Sequence, residues 1–356
     1  MSVGPFQHPI LGRLLGDDAL AACFDAAADV EAMLDFERAL ARAEAAEGLI
    51  EPAAAESIAM DLARFEADYD ALAEGTARDG VVVPALLKQL RTRLSPQAAK
   101  ALHKGATSQD VIDASAAIRL KRAASIIDGR LADLIGRFDE WEAKAGATTV
   151  MAHTRMQAAK PTVFARKLAA WRDPLARCRG RLSELSDRAF VLRFGGAVGD
   201  RADLGERDQA VADHVAAELG LASSATSLHS ERDGIAEFAS WLSLVTGVLG
   251  KFGQDAALSL QNEVGELKLA GGGGSSAMPH KSNPVGPEVL VTLARFNATL
   301  LAGLHQSLVH ENERSGAAWT LEWMLLPQMA TATGAATRVA GEVLAHLSLA
   351  PGGKDD

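Results

Sequence analysis

The clearest helical segment of the sequence is Asp233–Lys268, DGIAEFASWLSLVTGVLGKFGQDAALSLQNEVGELK. Its apolar positions recur at alternating spacings of three and four residues, with a final spacing of four. They are Ile235, Phe238, Leu242, Val245, Leu249, Phe252, Ala256 and Leu260. This heptad-like spacing favours a helix that packs along its length against other helices rather than on a sheet. The segment therefore predicts a bundle of long helices.

Four further stretches extend the predicted bundle. One carries the same spacing at Ile127, Leu131, Leu134, Phe138 and Trp141, and the others run over about 162–192, 284–311 and 317–349. Pro174 and Pro327 are expected to kink or break two of these helices. Five helices of such length exceed the needs of one compact monomer, so we expect several of their faces to be buried between subunits.

The first hundred residues differ from the rest because their helical stretches are short and interrupted, for example near Gly48 and Pro52. Only Val81–Val83 looks strand-like. We predict an all-α fold with a small N-terminal helical domain over 1–108 and a central long-helix bundle over 109–350. A tail over 351–356 and little or no C-terminal domain complete the prediction.

Composition and charge restrict the class of protein. The chain has 356 residues, of which 48% are hydrophobic and 23% charged, which is enough apolar material for a large core. A formal net charge of −10 argues against a nucleic-acid partner. The start of the sequence lacks the pattern of a signal peptide, and the apolar run 238–250 is shorter than the ~20 residues of a membrane span. Cys23 and Cys178 are too isolated for a disulfide framework or a metal motif, so we expect a cytoplasmic protein without a membrane partner.

Chemistry is concentrated in Gly271–Pro284, GGGGSSAMPHKSNP. Four glycines between two predicted helices favour a mobile loop. A simple linker is the alternative, but the residues that follow supply two hydroxyls, a cation and an amide close to a helix start. Together these groups are able to hold an anion and to deliver a proton-transfer group.

Two other segments carry polar groups in compact patterns. Leu102–Asp110, LHKGATSQD, places Thr107 and Ser108 before a long helix, where they are good caps and where their hydroxyls and free N–H groups also suit a carboxylate. Ala152–Pro161, AHTRMQAAKP, is the second.

The pattern GSSxMPxKxNP resembles the signature of the superfamily of fumarase, aspartase, argininosuccinate lyase and adenylosuccinate lyase, and the other two segments are similar to further signature regions of that superfamily. The resemblance implies a homotetramer with a central helix bundle. It also implies active sites assembled from three subunits, a polycarboxylate substrate, and no cofactor or metal.

The second region departs from the lyase pattern G-R-T-H-x-Q-x-A-x-P. The histidine of the lyases falls on Arg155, and their arginine falls on His153. Arginine stays protonated, so Arg155 suits holding a carboxylate better than donating a proton. His153 would reach the same side as the lost histidine on an extended segment but not on a helix.

Longer stretches resemble the muconate cycloisomerases within the superfamily, namely residues 33–44, 191–200, 229–258 and 310–327. This resemblance implies an intramolecular lyase that converts 3-carboxy-cis,cis-muconate to 4-carboxymuconolactone in protocatechuate (β-ketoadipate) catabolism. The alternatives are a 3-sulfomuconate cycloisomerase, an adenylosuccinate- or argininosuccinate-type lyase, and a structural homotetramer without activity.

Ser275 matches the catalytic serine of the superfamily, and Ser276 is its near alternative. The candidate catalytic residues are Ser275, Ser276, Lys281 and His153. The candidate substrate-binding residues are His103, Thr107, Ser108, Gln109, Arg155, Gln157, Lys160, Met278, Asn283 and Arg314.

Several of these candidates have structural alternatives. His103 is equally a core or interface histidine, and Arg314 an ordinary helix ion pair. Lys160 is alternatively a solvated helix start, and Gln157 a partner of backbone groups. His280 is expected to orient the loop. Glu263 and Glu266 either face solvent or have charged partners.

Overall fold

The computed structural model describes residues 4–274, 278 and 281–350 and is predominantly helical. The N-terminal part consists of short helices around one longer helix, α3. Its elements are α1 (Gly12–Leu15), α2 (Asp18–Ala21), α3 (Ala26–Ala46), α4 (Pro52–Leu62), α5 (Tyr69–Asp79), α6 (Val83–Arg93) and α7 (Pro96–Ala101). Helix α3 buries Phe36, Ala39 and Leu40 in the core.

The remainder of the described chain is built on five long helices. Its elements are α8 (Ser108–Ala145), β1 (Thr149–Thr154), β2 (Gln157–Val163), α9 (Phe164–Ala189), a 3-10 helix (Ala202–Arg207), α10 (Asp208–Leu219), α11 (Asp233–Ser259), β3 (Leu267–Leu269), α12 (Val285–Gln306), α13 (Gly316–His346) and β4 (Leu347–Leu349). The predicted bundle is thereby confirmed. The division into the domains 1–108 and 109–350 stays a prediction.

Helix α11 lies at the centre of the bundle, in contact with α9, α12 and α13. The predicted seam is the face that it buries, since Phe238, Leu242, Val245 and Leu249 are fully enclosed. By length and composition α11 would also pass as a membrane span, but 61% of that stretch is buried inside the protein, as in the core helix of a globular domain.

Three predicted helix ends are wrong. Helix α11 stops at Ser259 rather than Lys268, because the chain reverses at Gly265, whose φ of 57° suits glycine. Residues 267–269 then form β3, which pairs antiparallel with β4. This pairing also takes the last three residues of the helix predicted over 317–349. Helix α12 likewise ends at Gln306, five residues before the predicted end.

The three local predictions that rested on valine and proline have different outcomes. Val83 begins α6 rather than a strand, and Pro84 occupies the first turn of that helix, where its missing N–H costs nothing. Helices α9 and α13 run through Pro174 and Pro327 without a break, and a kink at either proline stays a prediction. Buried packing on both sides of the proline, by Trp171 and Cys178 in α9, offsets the lost hydrogen bond.

Strands β1 and β2 form an antiparallel hairpin at the far end of α8. Its two-residue turn is Arg155–Met156, and both residues have positive φ, 49° and 66°. Such a turn matches the twist of the two strands. The pairing shifts register between Met151 and His153, so one residue on β1 opposes two on β2.

Candidate active site

The first candidate region is the start of α8. The Thr107 amide donates to Asp110 Oδ2 at 2.7 Å, and the Asp110 amide donates to the Thr107 carbonyl at 3.0 Å. The amides of Ser108 and Gln109 donate to no described residue. Thr107 therefore caps α8 as expected, and the helix start retains two donors for an anion.

Gln109 and Arg314 come together at this helix start. Arg314 Nε donates to Gln109 Oε1 at 2.8 Å, and Gln109 Nε2 donates to the His229 carbonyl at 2.9 Å. Arg314 precedes α13 and is exposed, so it is not the helix ion pair of the alternative interpretation. Two residues predicted to bind substrate are thus in direct contact.

Beneath this surface lies a buried ionic network that the sequence analysis did not identify. Arg232 binds both carboxylate oxygens of Asp113 and both of Glu322, at 2.5–3.1 Å. Trp319 Nε1 donates to Asp113 Oδ1 at 3.0 Å. Burial disfavours the charged form of Asp113, but the Arg232 guanidinium outweighs burial and lowers the pKa of Asp113 below its usual range.

Two further buried groups border the network. His310 lies 3.5 Å from Glu322, and burial lowers the pKa of Arg193 to about 10. Arg193, Arg232, His310 and Glu322 all fall within the stretches that resemble the muconate cycloisomerases. A single sequence does not distinguish buried charges from surface charges, because the identity of their partners depends on the tertiary fold.

His103 has a specific partner in the N-terminal part. Its Nδ1 lies 2.6 Å from Glu37 Oε1, and its backbone is left-handed with φ 64°. Burial opposes the charged imidazolium, but the Glu37 carboxylate outweighs burial and raises the pKa of His103. Glu44 is fully buried near this pair, and burial raises its pKa to about 8. His103 therefore belongs to a buried carboxylate–imidazole pair four residues before Thr107.

The second candidate region forms the β1–β2 hairpin, so His153 lies on an extended strand rather than a helix. Arg155 is at the turn, Gln157 pairs with Thr154, and Lys160 lies at the register shift of β2 rather than at a helix start. All four candidates are exposed, and their side chains make no hydrogen bond or ion pair with another described residue. The hairpin therefore exposes four polar side chains that are available to bind a ligand.

The third candidate region is only partly described. Ser275, Ser276 and His280 lie outside the described residues. Gly273 and Asn283 exchange two backbone hydrogen bonds, at 3.0 and 2.8 Å, which close the base of the loop. The Lys281 amide donates to the Met278 carbonyl at 2.9 Å, and the Lys281 side chain is exposed.

The glutamates before this loop behave differently from each other. Glu266 pairs with Lys167 in the first turn of α9, whereas Glu263 is exposed. The ion pair of Glu266 places the start of the loop beside the hairpin end of the bundle.

Within one chain, the first region lies at one end of the bundle, and the second and third regions lie at the other end. Helix α8 has 38 residues and separates the Thr107 region from the hairpin by about 56 Å, at 1.5 Å per residue. Helix α13 begins after Arg314 and ends at His346, whose carbonyl accepts from the Ala270 amide beside the third region. One chain therefore brings the second and third regions to one end and leaves the first region and Arg314 at the other.

Within the described part of the chain, no three His, Cys, Asp or Glu side chains are grouped in a way that would hold a metal ion. The expectation of a site without metal or cofactor remains a prediction.

The chain is similar to proteins of known family. The model of the lyase family matches residues 16–299. A protein of Bradyrhizobium diazoefficiens named 3-carboxy-cis,cis-muconate cycloisomerase is 38% identical over 92% of this chain and 74% of its own length. One of the same name from Pseudomonas aeruginosa is 41% identical over 87% of this chain and 69% of its own length.

Solved structures agree with these relatives. The crystal structure of 3-carboxy-cis,cis-muconate lactonizing enzyme from Pseudomonas putida superimposes with a TM-score of 0.88 at 36% identity, over 95% of this chain and 76% of that one. The helical fold described above is therefore shared along almost the whole chain.

Proposed function

Because this chain belongs to the lyase family, we propose that it is an intramolecular lyase that converts 3-carboxy-cis,cis-muconate to 4-carboxymuconolactone. The observation that carries the proposal is the similarity, along nearly the whole chain, to proteins named for this reaction. The alternatives derived from adenylosuccinate and argininosuccinate lyases are less well supported, because Arg155 stands where those lyases have a histidine.

The reaction defines what the site has to supply. A carboxylate oxygen of the substrate adds to one carbon of a double bond, and a proton adds to the neighbouring carbon, which is next to a second carboxylate. Before the proton arrives, negative charge accumulates on that second carboxylate as an aci-carboxylate. Preorganised cations and hydrogen-bond donors lower this barrier, by about 3 kcal/mol for one well-placed donor.

We propose that the Ser275 hydroxyl donates this proton to the substrate, with Ser276 and His153 as alternative donors. Lys281 and Asn283 would bind the carboxylate that becomes aci. A second carboxylate would lie at the α8 start, against the hydroxyls of Thr107 and Ser108 and the free amides of Ser108 and Gln109.

The third carboxylate would be held by Arg155, Lys160 and Arg314, since a tricarboxylate needs several cations and the first two are unpaired on the exposed hairpin. Gln157 and Met278 would complete the walls, and His103 would lie below the Thr107 carboxylate site.

Sites shared between subunits follow from this assignment, and we propose a homotetramer because the resemblance to the lyase superfamily implies one. The α8 start and the hairpin lie about 56 Å apart in one chain, so groups from both meet on one substrate only if different chains supply them. Cytoplasmic catabolism of protocatechuate, without a nucleic-acid or membrane partner, is the setting that we propose for the reaction.

A spectrophotometric assay tests the function. The purified protein is given 3-carboxymuconate and, separately, 3-sulfomuconate, adenylosuccinate and argininosuccinate. We expect turnover of 3-carboxymuconate and no release of fumarate from the last two. Faster turnover of 3-sulfomuconate would reassign the substrate, and fumarate release would reassign the reaction.

A further inference from the structure

Asp110 joins three separate segments of the chain. Its Oδ1 accepts from the Gly195 amide at 2.8 Å and lies 2.7 Å from His229 Nε2. Its Oδ2 accepts from the Gly196 amide at 3.1 Å and from the Thr107 amide at 2.7 Å. The side chain is completely buried, so water does not substitute for these four partners.

Every partner of Asp110 is a donor. Three are backbone N–H groups, which have no other role in a hydrogen bond. Because a carboxylate only accepts, the tautomer of His229 that is consistent with this contact carries its hydrogen on Nε2. Asp110 therefore acts as a four-fold acceptor, and each of its oxygens serves two donors.

These bonds fix the loop Gly195–Asp200 against the start of α8. A side chain at Gly195 would collide with Ser227 and Gly199, and Gly196 has a φ of 67°. The glycines therefore let the backbone approach the carboxylate closely. The two adjacent glycines of the sequence FGGAVGD at 194–200 are therefore explained by the lack of room for side chains there.

The fixed loop in turn contacts Arg314. Arg314 Nη2 lies 3.3 Å from the Ala197 carbonyl and 3.5 Å from the Gly196 carbonyl, while Nε binds Gln109. Arg314 Nη1 makes no hydrogen bond with a described residue. The guanidinium is thus held on two sides and leaves one amino group for a ligand.

We propose that Asp110 is a positioning residue for the substrate carboxylate site. By fixing both the glycine loop and the Thr107 cap, it sets the direction of the Arg314 guanidinium and of the free Ser108 and Gln109 amides. The inference rests on the proposed function, which places one carboxylate at the Ser108 and Gln109 amides and another at Arg314.

The substitution Asp110→Asn tests it, because the two side chains have the same shape. In either orientation of the amide, its NH2 group faces two donors, so two of the four donors lose their acceptor. We expect KM for 3-carboxymuconate to rise about tenfold or more, with kcat changed less than about threefold. Amide hydrogen exchange over 195–200 in the full-length protein should become faster.

Asp17→Asn is the matched control. Asp17 is a buried carboxylate that accepts from the Leu20 amide and from Arg130, away from the site. It should lose stability without a change in KM or in exchange over 195–200. An equal KM change in both variants would reduce Asp110 to a general stabilising role and overturn the proposal.

A double variant separates positioning from stability. Because Asp110 acts partly through Arg314, Asp110→Asn combined with Arg314→Ala should raise KM by less than the product of the two single effects. A fully multiplicative effect would overturn the proposal. Should Asp110→Asn not fold, Gly196→Ala disturbs the same loop from its other side, where a Cβ meets the Gly105 carbonyl at 2.9 Å. The same rise in KM is then expected, and an unchanged KM refutes the role.

Amide hydrogen exchange over 195–200 tests the positioning role of Asp110 independently of the proposed reaction. A wild-type protein inactive on 3-carboxymuconate would refute the proposed function. Unchanged exchange over 195–200 in the Asp110 variant would refute the positioning role, whatever the substrate.

Discussion

Arg314 Nε donates to Gln109 Oε1 across 2.8 Å, which joins residues 205 positions apart in the sequence. The segment that connects α12 and α13 is thereby docked on the first turn of α8. This contact brings a guanidinium from a distant segment of the chain to the start of α8.

Replacing Arg314 by lysine should weaken substrate binding. Lysine lacks the planar fork that reaches Gln109, the loop carbonyls and a carboxylate together, so we expect KM to rise about 10- to 100-fold. Steady-state kinetics on 3-carboxymuconate measure it. Arg338→Lys is the control, since Arg338 likewise joins a side-chain partner, Glu342, to backbone carbonyls, but far along α13 from the first region. An unchanged KM for Arg314→Lys would remove Arg314 from the binding site.

Removing the Ser275 hydroxyl should affect turnover more than affinity. We expect Ser275→Ala to lower kcat by about 100-fold or more, the scale of a lost proton-transfer group. Ser282→Ala, an exposed serine of the same loop, is the control and should retain normal turnover. Near-normal kcat in Ser275→Ala would shift the role to Ser276 or His153.

If each site is shared between subunits, two inactive variants that damage different ends of the bundle should recover activity in a mixed oligomer. We expect Arg314→Ala and Lys160→Ala to be poorly active alone and to regain activity when both chains are expressed together. Recovery occurs because some sites then combine an intact α8 end with an intact hairpin from another chain. The matched control pairs Arg314→Ala with Thr107→Ala, which damage the same end and should not recover. Equal activity of the two mixtures would place each site within one chain.

Glu44 predicts a pH dependence of stability. Its pKa rises from an ordinary 4.5 to about 8 in the folded chain, so the folded state keeps a proton that the unfolded state releases between these values. Stability from this group is complete below pH 4.5 and is lost as pH rises toward 8. Glu44→Gln should therefore be more stable than wild type at pH 8.5, by on the order of a few kcal/mol.

Calorimetric unfolding from pH 5 to 9 measures this effect. Glu56→Gln, an exposed position on α4, is the control and should follow the wild-type profile. Parallel profiles for wild type and Glu44→Gln would refute the assignment of this pH dependence to Glu44.

The sequence predicted the long helices well because their seams are periodic and their core positions are local in sequence. The predictions were wrong where the structure of a segment depends on residues that are distant in the sequence. Nothing near Lys268 indicates β3, since its partner β4 lies about eighty residues away. Val81–Val83 looked strand-like from β-branched residues alone, whereas its packing and Pro84 favour a helix start.

For the site residues too, the sequence identified individual residues but not the contacts between distant segments. Thr107, Gln109 and Arg314 were identified individually, but their contact depends on how α8 and α13 lie side by side. The Asp113–Arg232–Glu322 network was missed because buried charges are recognisable only from partners that the fold brings together. The hairpin resolved one open question, since it places His153 on an extended strand.

In the proposed oligomer, the 38 residues of α8 would act as a spacer, because its two ends would contribute to sites that other chains complete. Adding or deleting a single helical turn would then shift the two ends by about 5.4 Å relative to the other chains of the proposed oligomer. Substitutions along such a helix are tolerable, but insertions and deletions are not. Changes of length in this protein should therefore accumulate in its connecting loops.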